Sequence, residues 1–279
     1  MSDFILSAFA DEAAPDLAGQ IAALKRNGIP LLEIRNLEGR CVIDLTDPEL
    51  EETGRLLSEN GIGVSAIASP IGKISITEDF EPHFERFRRA VAAAKALGTK
   101  RIRMFSFFIP KGEEPGRYRD QVLERLSRLC DYAARNGVSC CHENEKEIYG
   151  DRRERVLDLH RELGEGLKGI FDPANYIQCG ERPGEIYEEL FPYVDYLHVK
   201  DALLEDGSVV PAGKGDGELP RLLASFRKEG ETRLLTVEPH LHVFQGLGNL
   251  QDEELKHRYG YPTQGDAFDA ACDALKGLL

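Results

Sequence analysis

The sequence predicts a single (β/α)8 TIM barrel of the α/β class over residues 1–279, and three observations carry that expectation. Short apolar runs rich in β-forming residues alternate with longer segments of helical period from one end of the chain to the other. Eight such pairs average about 35 residues each, the size of one βα unit in a barrel. The turn after the first run reads Phe9-Ala10-Asp11-Glu12-Ala13-Ala14, without the glycines that a doubly wound nucleotide-binding sheet needs there.

The first strand is expected at Phe4–Ala10, an apolar run too short for a membrane span and with no basic segment ahead of it to suit a signal peptide. A helix over 15–28 follows and closes on Asn27-Gly28, residues that tolerate positive φ, before the second strand at Leu31–Asn36. Thr46-Asp47-Pro48 sets a capping side chain ahead of a first-turn proline and opens the second helix, 48–60, which ends on Asn60-Gly61. The third strand is Gly63–Ser69 and its helix 79–97, where Arg86, Arg88, Arg89 and Lys95, with Lys100 just beyond, read as an exposed basic face. The fourth strand, Arg101–Phe107, leads to a helix over 115–136 with a third Asn-Gly stop at Asn136-Gly137. The fifth and sixth strands, Val138–Asn144 and Leu167–Asp172, precede helices 152–163 and 183–191. The seventh and eighth, Val194–Lys200 and Arg233–Pro239, precede helices 218–228 and 265–278. Two connections are long: 201–217 and 240–265, lengths that suit lids or subunit contacts and hence a homodimer or higher oligomer. Gly213-Lys214-Gly215-Asp216-Gly217 resembles a phosphate cradle, but its spacing is not that of a P-loop and it reads as a flexible connection.

Composition narrows the partners. With 35 Lys plus Arg against 49 Asp plus Glu, a net charge of −14 repels nucleic-acid backbones and anionic membranes. The six cysteines form no C-x-x-C pair, so reduced buried thiols in a cytoplasmic protein are expected. His83, His160 and His257 stand among charges and read as solvated; His240 and His242 begin a loop.

A barrel builds its site where strands finish. The fifth strand ends His142-Glu143-Asn144-Glu145, the sixth Phe171-Asp172-Pro173, the seventh Leu197-His198-Val199-Lys200-Asp201 and the eighth Val237-Glu238-Pro239-His240. Strand side chains alternate faces, so with Leu197, Val199, Leu235 and Val237 toward the helices, Tyr196, His198, Lys200, Thr236, Glu238 and His240 turn inward. The same parity turns Glu143 and Asp172 inward, with Glu145 the alternative to Glu143 on its strand. Three carboxylates crowded at a barrel mouth repel one another unless a cation neutralises them. Oxygen donors plus one imidazole suit a divalent metal ion, Mn²⁺ first and Mg²⁺, Co²⁺ or Zn²⁺ as alternatives.

Taken in order, His142-Glu143-Asn144, Phe171-Asp172-Pro173-Ala174-Asn175, Leu197-His198-Val199-Lys200-Asp201 and Val237-Glu238-Pro239-His240 resemble the segments of the xylose isomerase-like TIM barrels, a group of sugar isomerases and epimerases. The resemblance spans essentially the whole chain. It implies a metal held by Glu143, Asp172, His198 and Glu238, with Glu143 and Glu238 doubling as acid and base. It implies proton transfer beside the carbonyl of a keto sugar or polyol through a metal-stabilised enediolate. Lys200, His240 and Arg35 are expected to bind substrate hydroxyls. Asn175 departs from the pattern, since many members carry His there in contact with substrate or metal-bound water. The enzymatic rival is a lyase that dehydrates a keto-inositol or opens a 3-keto glycoside on the same site. Phosphodiester cleavage would require further lumenal histidines and a basic rim, and a non-catalytic sugar-binding subunit would keep the barrel without turnover.

Overall fold

The computed structural model describes residues 3–243 and 258–279. Eight strands, β1 Phe4–Ala8, β2 Leu31–Ile34, β3 Gly63–Ala68, β4 Arg101–Met104, β5 Ser139–Glu143, β6 Leu167–Phe171, β7 Val194–Val199 and β8 Arg233–Val237, close into a barrel. Each pairs in parallel with its neighbours in chain order, and β1 pairs with β8 to shut the ring. All eight stop earlier than the apolar pattern suggested, because the chain leaves the ladder to line the mouth. Asp172, Lys200 and Glu238 lie just past their strands.

The helices are α1 Leu17–Arg26, α2 Asp47–Glu59, α3 Phe80–Ala96, α4 Arg119–Arg135, α5 Arg153–Leu163, α6 Pro173–Gln178, α7 Pro183–Leu190, α8 Leu219–Phe226 and α9 Gln264–Lys276. Their ends follow local chemistry. Thr46 and Glu49 form a capping box on α2, Thr46 N–H donating to Glu49 Oε2 at 2.7 Å. The three Asn-Gly stops share one device: each Asn amide donates to the carbonyl four residues back, Asn27 to Ala23 at 3.0 Å, Asn60 to Leu56 and Asn136 to Tyr132 at 2.9 Å. Gly28, Gly61 and Gly137 then take φ of 63°, 72° and 72°, and the chain turns into the next strand.

Helix α6 was not expected. Asp172 is its N-cap, accepting from Asn175 N–H at 3.0 Å, and Pro173 occupies the first turn where no N–H is needed. Two short hairpins were also missed, Asn36–Leu37 with Arg40–Cys41 and Asp201–Ala202 with Val209–Val210.

Several expectations are corrected. His83 and His160 are buried, not solvated: His83 Nε2 accepts from Gly72 N–H at 2.7 Å, and His160 stacks on Tyr193 at 5.0 Å while Nδ1 donates to the Leu167 carbonyl at 3.3 Å. Four cysteines are buried, but Cys41 and Cys179 are only half-buried. The glycine loop is no free phosphate cradle. It wraps the Asp201 carboxylate, which accepts from Gly213, Gly215 and Gly217 N–H at 2.9 to 3.0 Å. His257 and most of the 240–265 connection lie outside the described residues. No helix among the described residues is long and apolar enough to cross a membrane.

The main core lies between sheet and helices, where Leu32, Ile34, Ile102, Leu197, Val199, Leu235 and Val237 pack outward. Inside the ring a smaller apolar cluster, Ala66, Cys141, Ile170, Tyr196 and Leu234, floors the lumen and keeps water from the polar layer above it.

Candidate active site

At the carboxyl ends of β5 to β8, Glu143, Asp172, His198 and Glu238 converge, all buried, each offering one ligand atom, with those four atoms within 4.8 Å of one another. His198 sits centrally: Nδ1 lies 2.8 Å from Glu143 Oε1 and 3.4 Å from Glu238 Oε2. Its other nitrogen, Nε2, donates to Glu33 at 3.2 Å and 3.3 Å to the two carboxylate oxygens. Since a carboxylate can only accept, both ring nitrogens donate in this arrangement, Nε2 to Glu33 and Nδ1 to Glu143; Glu33 keeps the Nε2 proton in place, so that Nδ1 is the nitrogen a metal ion would meet on displacing the other proton. Glu33 is itself fixed by Tyr196 Oη at 2.9 Å and Thr236 Oγ1 at 2.8 Å. Phe9 packs edge-on against the imidazole at 5.1 Å.

Lys200 Nζ lies 2.9 Å from Asp172 Oδ2 and 3.2 Å from Glu238 Oε2. Arg103 Nη1 pairs with Glu143 Oε2 at 3.1 Å. Arg35 is gripped by Asp11 at 2.8 Å and Glu12 at 3.0 Å, and approaches Glu238 at 3.8 Å. His240, left-handed at φ 45°, is buried in the site and not on a surface loop: Glu12 accepts from its backbone N–H at 2.6 Å and lies 3.0 Å from Nδ1. Asn175 Nδ2 donates to the Asn144 carbonyl at 2.8 Å and to Glu143 Oε1 at 3.4 Å. Glu145 stays outside the cluster and pairs with Lys73 at 3.2 Å. All four candidate ligands and all four candidate substrate-contacting residues thus gather at one mouth.

Charge explains how the cluster holds together. Six buried carboxylates, Asp11, Glu12, Glu33, Glu143, Asp172 and Glu238, face three permanent cations, Arg35, Arg103 and Lys200. Burial disfavours the charged form of Asp172, and with Glu238 and Glu143 adding repulsion against the pull of Lys200 it lifts the group to about 7. At Glu143 burial is outweighed by His198 and Arg103, and at Glu238 by Lys200, His240 and His198, so both stay below the ordinary carboxylate range. Burial would likewise depress His198, but attraction to Glu143 and Glu33 holds it well above the usual imidazole value. Such a site is cation-hungry, and its donor set, three carboxylates and one oriented imidazole nitrogen, fits a divalent ion.

Glu33, Arg103, Asp11 and Glu12 were not singled out from sequence. For Glu33 and Arg103 the signal was present: Leu32 and Ile34 face the helices, as do Ile102 and Met104, so the residues between them turn inward by the parity that found His198.

The family whose sequence model matches residues 21–259 is described as xylose isomerase-like TIM barrel. No curated protein matches the sequence. Among solved structures, the chain is similar to the probable 3-DHS dehydratase AsbF of Bacillus anthracis, at 17% identity and TM-score 0.76, covering 98% of this chain and 99% of that one. It is similar to a D-allulose 3-epimerase from Methylomonas sp. at 16% identity and TM-score 0.74, with 99% and 98% covered. It is also similar to the IOLI protein with a bound zinc atom, at 14% identity and TM-score 0.73, with 99% and 98% covered.

Proposed function

Because the chain belongs to the xylose isomerase-like TIM barrel family, we propose that it is a divalent-metal-dependent sugar isomerase or epimerase that moves a proton beside the carbonyl of a keto sugar or related polyol. The observation that carries this reading is the convergence of Glu143, Asp172, His198 and Glu238, with Glu33 presenting His198 Nδ1 to the other three. These four residues would hold the ion. Mn²⁺ ranks first on the oxygen-rich donor set, ahead of Mg²⁺, Co²⁺ and Zn²⁺. Bound there, it supplies stabilisation for the negative charge that grows on the substrate oxygens as the carbon gives up its proton.

The chain's own residues do the rest. Glu143 takes the proton from one side of the carbon and Glu238, three strands further round the ring, returns one from the other. Lys200 and His240 flank Glu238 and reach the substrate hydroxyls beside it, Asn175 does the same beside Glu143, and Arg35 orients the end nearest Glu12. The apolar lumen floor and Phe9 exclude water beneath the reacting carbon.

Proton NMR in D2O over a panel of ketoses, with Mn²⁺ supplied, tests the reading. Exchange at the carbon beside the carbonyl, strongly slowed in Glu238→Gln, is the expected result. Loss of water or of an aglycone would reassign the site to elimination, and no exchange with any substrate would end the proposal.

A further inference from the structure

The opening directly over the four-residue cluster has a volume of about 20 Å³, room for one ion or one water. With the reacting end over the cluster, the rest of a sugar must therefore lie alongside it. The adjoining cavity, on the β2, β3 and β4 side of the mouth, measures about 490 Å³, within the range of small-molecule pockets. It shares Arg35, Lys73 and Arg103 with the opening over the cluster, so one molecule filling it touches both.

Its lining opposes the rest of the molecule. On a chain of net charge −14, five cations line this cavity, Arg35, Arg40, Lys73, Arg86 and Arg103, against one lining carboxylate, Asp44; Arg35, Lys73 and Arg103 also pair with Asp11 and Glu12, Glu145 and Glu143, so the donors left for a ligand are mainly those of Arg40 and Arg86. Arg103 and Lys73 lie over the Phe105 ring, at 4.9 Å and 4.4 Å from its centroid, which holds both heads on the cavity wall. At the far end Arg86 gives one nitrogen, Nη2, to Asp44 and Arg40 pairs with Glu49, yet both guanidinium side chains remain about half exposed, at 46% and 50%. A guanidinium carries five N–H donors in a fork that matches carboxylate and phosphate oxygens. Arg86 belongs to the stretch of α3 read from sequence as a plain exposed face, and its neighbours Arg88 and Arg89 do pair along that face, with Glu85 and Asp47.

We infer that this cavity receives an oxyanion, a carboxylate or a phosphate ester, at the end of the substrate distant from the reacting carbonyl. The substrate class is then an acidic keto polyol and not a neutral ketose. The inference rests on the proposed reaction for which end of the molecule meets Glu143 and Glu238, but its charge logic comes from the pocket alone.

Calorimetric titration of the full chain, with Mn²⁺ present and at 150 mM salt, compares D-fructose, D-fructose 6-phosphate and D-fructuronate, that is 5-keto-D-gluconate's class of keto acid. At least one anion is expected to bind tenfold or more tighter than D-fructose. In the doubly substituted Arg40→Ala, Arg86→Ala protein that gap should close by at least fivefold. A stronger phosphate ester identifies phosphate as the group recognised, and a stronger keto acid identifies carboxylate. Equal or absent binding of all three, or a gap that survives in the double variant, overturns the inference. Because the readout is binding, tight anion binding without proton exchange in D2O would remove the reaction and leave the pocket, while exchange with neutral and anionic ketoses alike would remove only the pocket.

Discussion

Glu33 is the residue whose replacement separates a ligand from the group that aims it. Its carboxylate is fully buried and receives three donors, Tyr196 Oη at 2.9 Å, Thr236 Oγ1 at 2.8 Å and His198 Nε2 at 3.2 Å. In Glu33→Gln the volume is kept, but one acceptor oxygen becomes an NH2 donor facing at least one of those three. The hydroxyls can rotate away; the ring N–H of His198 cannot. Its bond to a charged acceptor, about twice the strength of a neutral one, is weakened, and the imidazole loses the partner that would keep the proton on Nε2 when a metal takes Nδ1. Outer partners of this kind change metal affinity by roughly 10- to 100-fold, which is about 1.4 to 2.8 kcal/mol. Titration of Mn²⁺ into chelator-treated wild type and variant measures it directly, with near-ultraviolet circular dichroism to show that the barrel is intact. A folded variant that binds Mn²⁺ within twofold of wild type would refute the orienting role.

Other outcomes follow from the same geometry. Glu238→Gln should slow α-proton exchange by about 10² to 10⁴-fold, and, by taking the buried partner from Lys200 and His198, lower Tm in the metal-free protein; a higher Tm in calorimetry would contradict the charge argument. Burial lowers both His83 and His160 to about 4, so their folded values lie beneath the unfolded one. The unfolded chain takes up these protons first, and stability present above about pH 6.5 is lost on acidification, about 2 kcal/mol for each by pH 5. Guanidinium unfolding midpoints at pH 7 and pH 5 report this, and equal midpoints would contradict it. Asp201→Gly should strip an acceptor from three glycine N–H groups and destabilise the chain by about 3 kcal/mol. Inorganic phosphate should then raise its Tm by more than it raises that of wild type, as the emptied nest takes an external anion.

The barrel was legible because parallel strands buried on both faces write long apolar runs, and because Asn-Gly stops repeat where helices turn back to strands. The four-donor cluster was legible from period-two parity on the last four strands. What escaped has identifiable causes. Helix α6 is six residues long, too short for a periodic signal, and its only marks are a capping Asp172 and Pro173. Asp11 and Glu12 sit in a turn, where no parity applies, and their partners Arg35 and His240 come from remote parts of the chain. His83 and His160 looked solvated because their sequence neighbours are charged, whereas a helix places those neighbours on the opposite side. The glycine loop read as a flexible connection, but its N–H groups are tied to an anion that is covalently part of the same chain.

The seam of the ring has a consequence for when the cluster is complete. Glu12 follows the first strand and His240 the last, and they meet beside Glu238, so the joint between the two ends of the polypeptide runs through the mouth itself. Glu143, Asp172 and His198 come from β5 to β7, but the fourth donor and the clasp come with β8, the strand that docks against β1. The four-donor cluster is therefore a property of the finished circle and of no shorter arc.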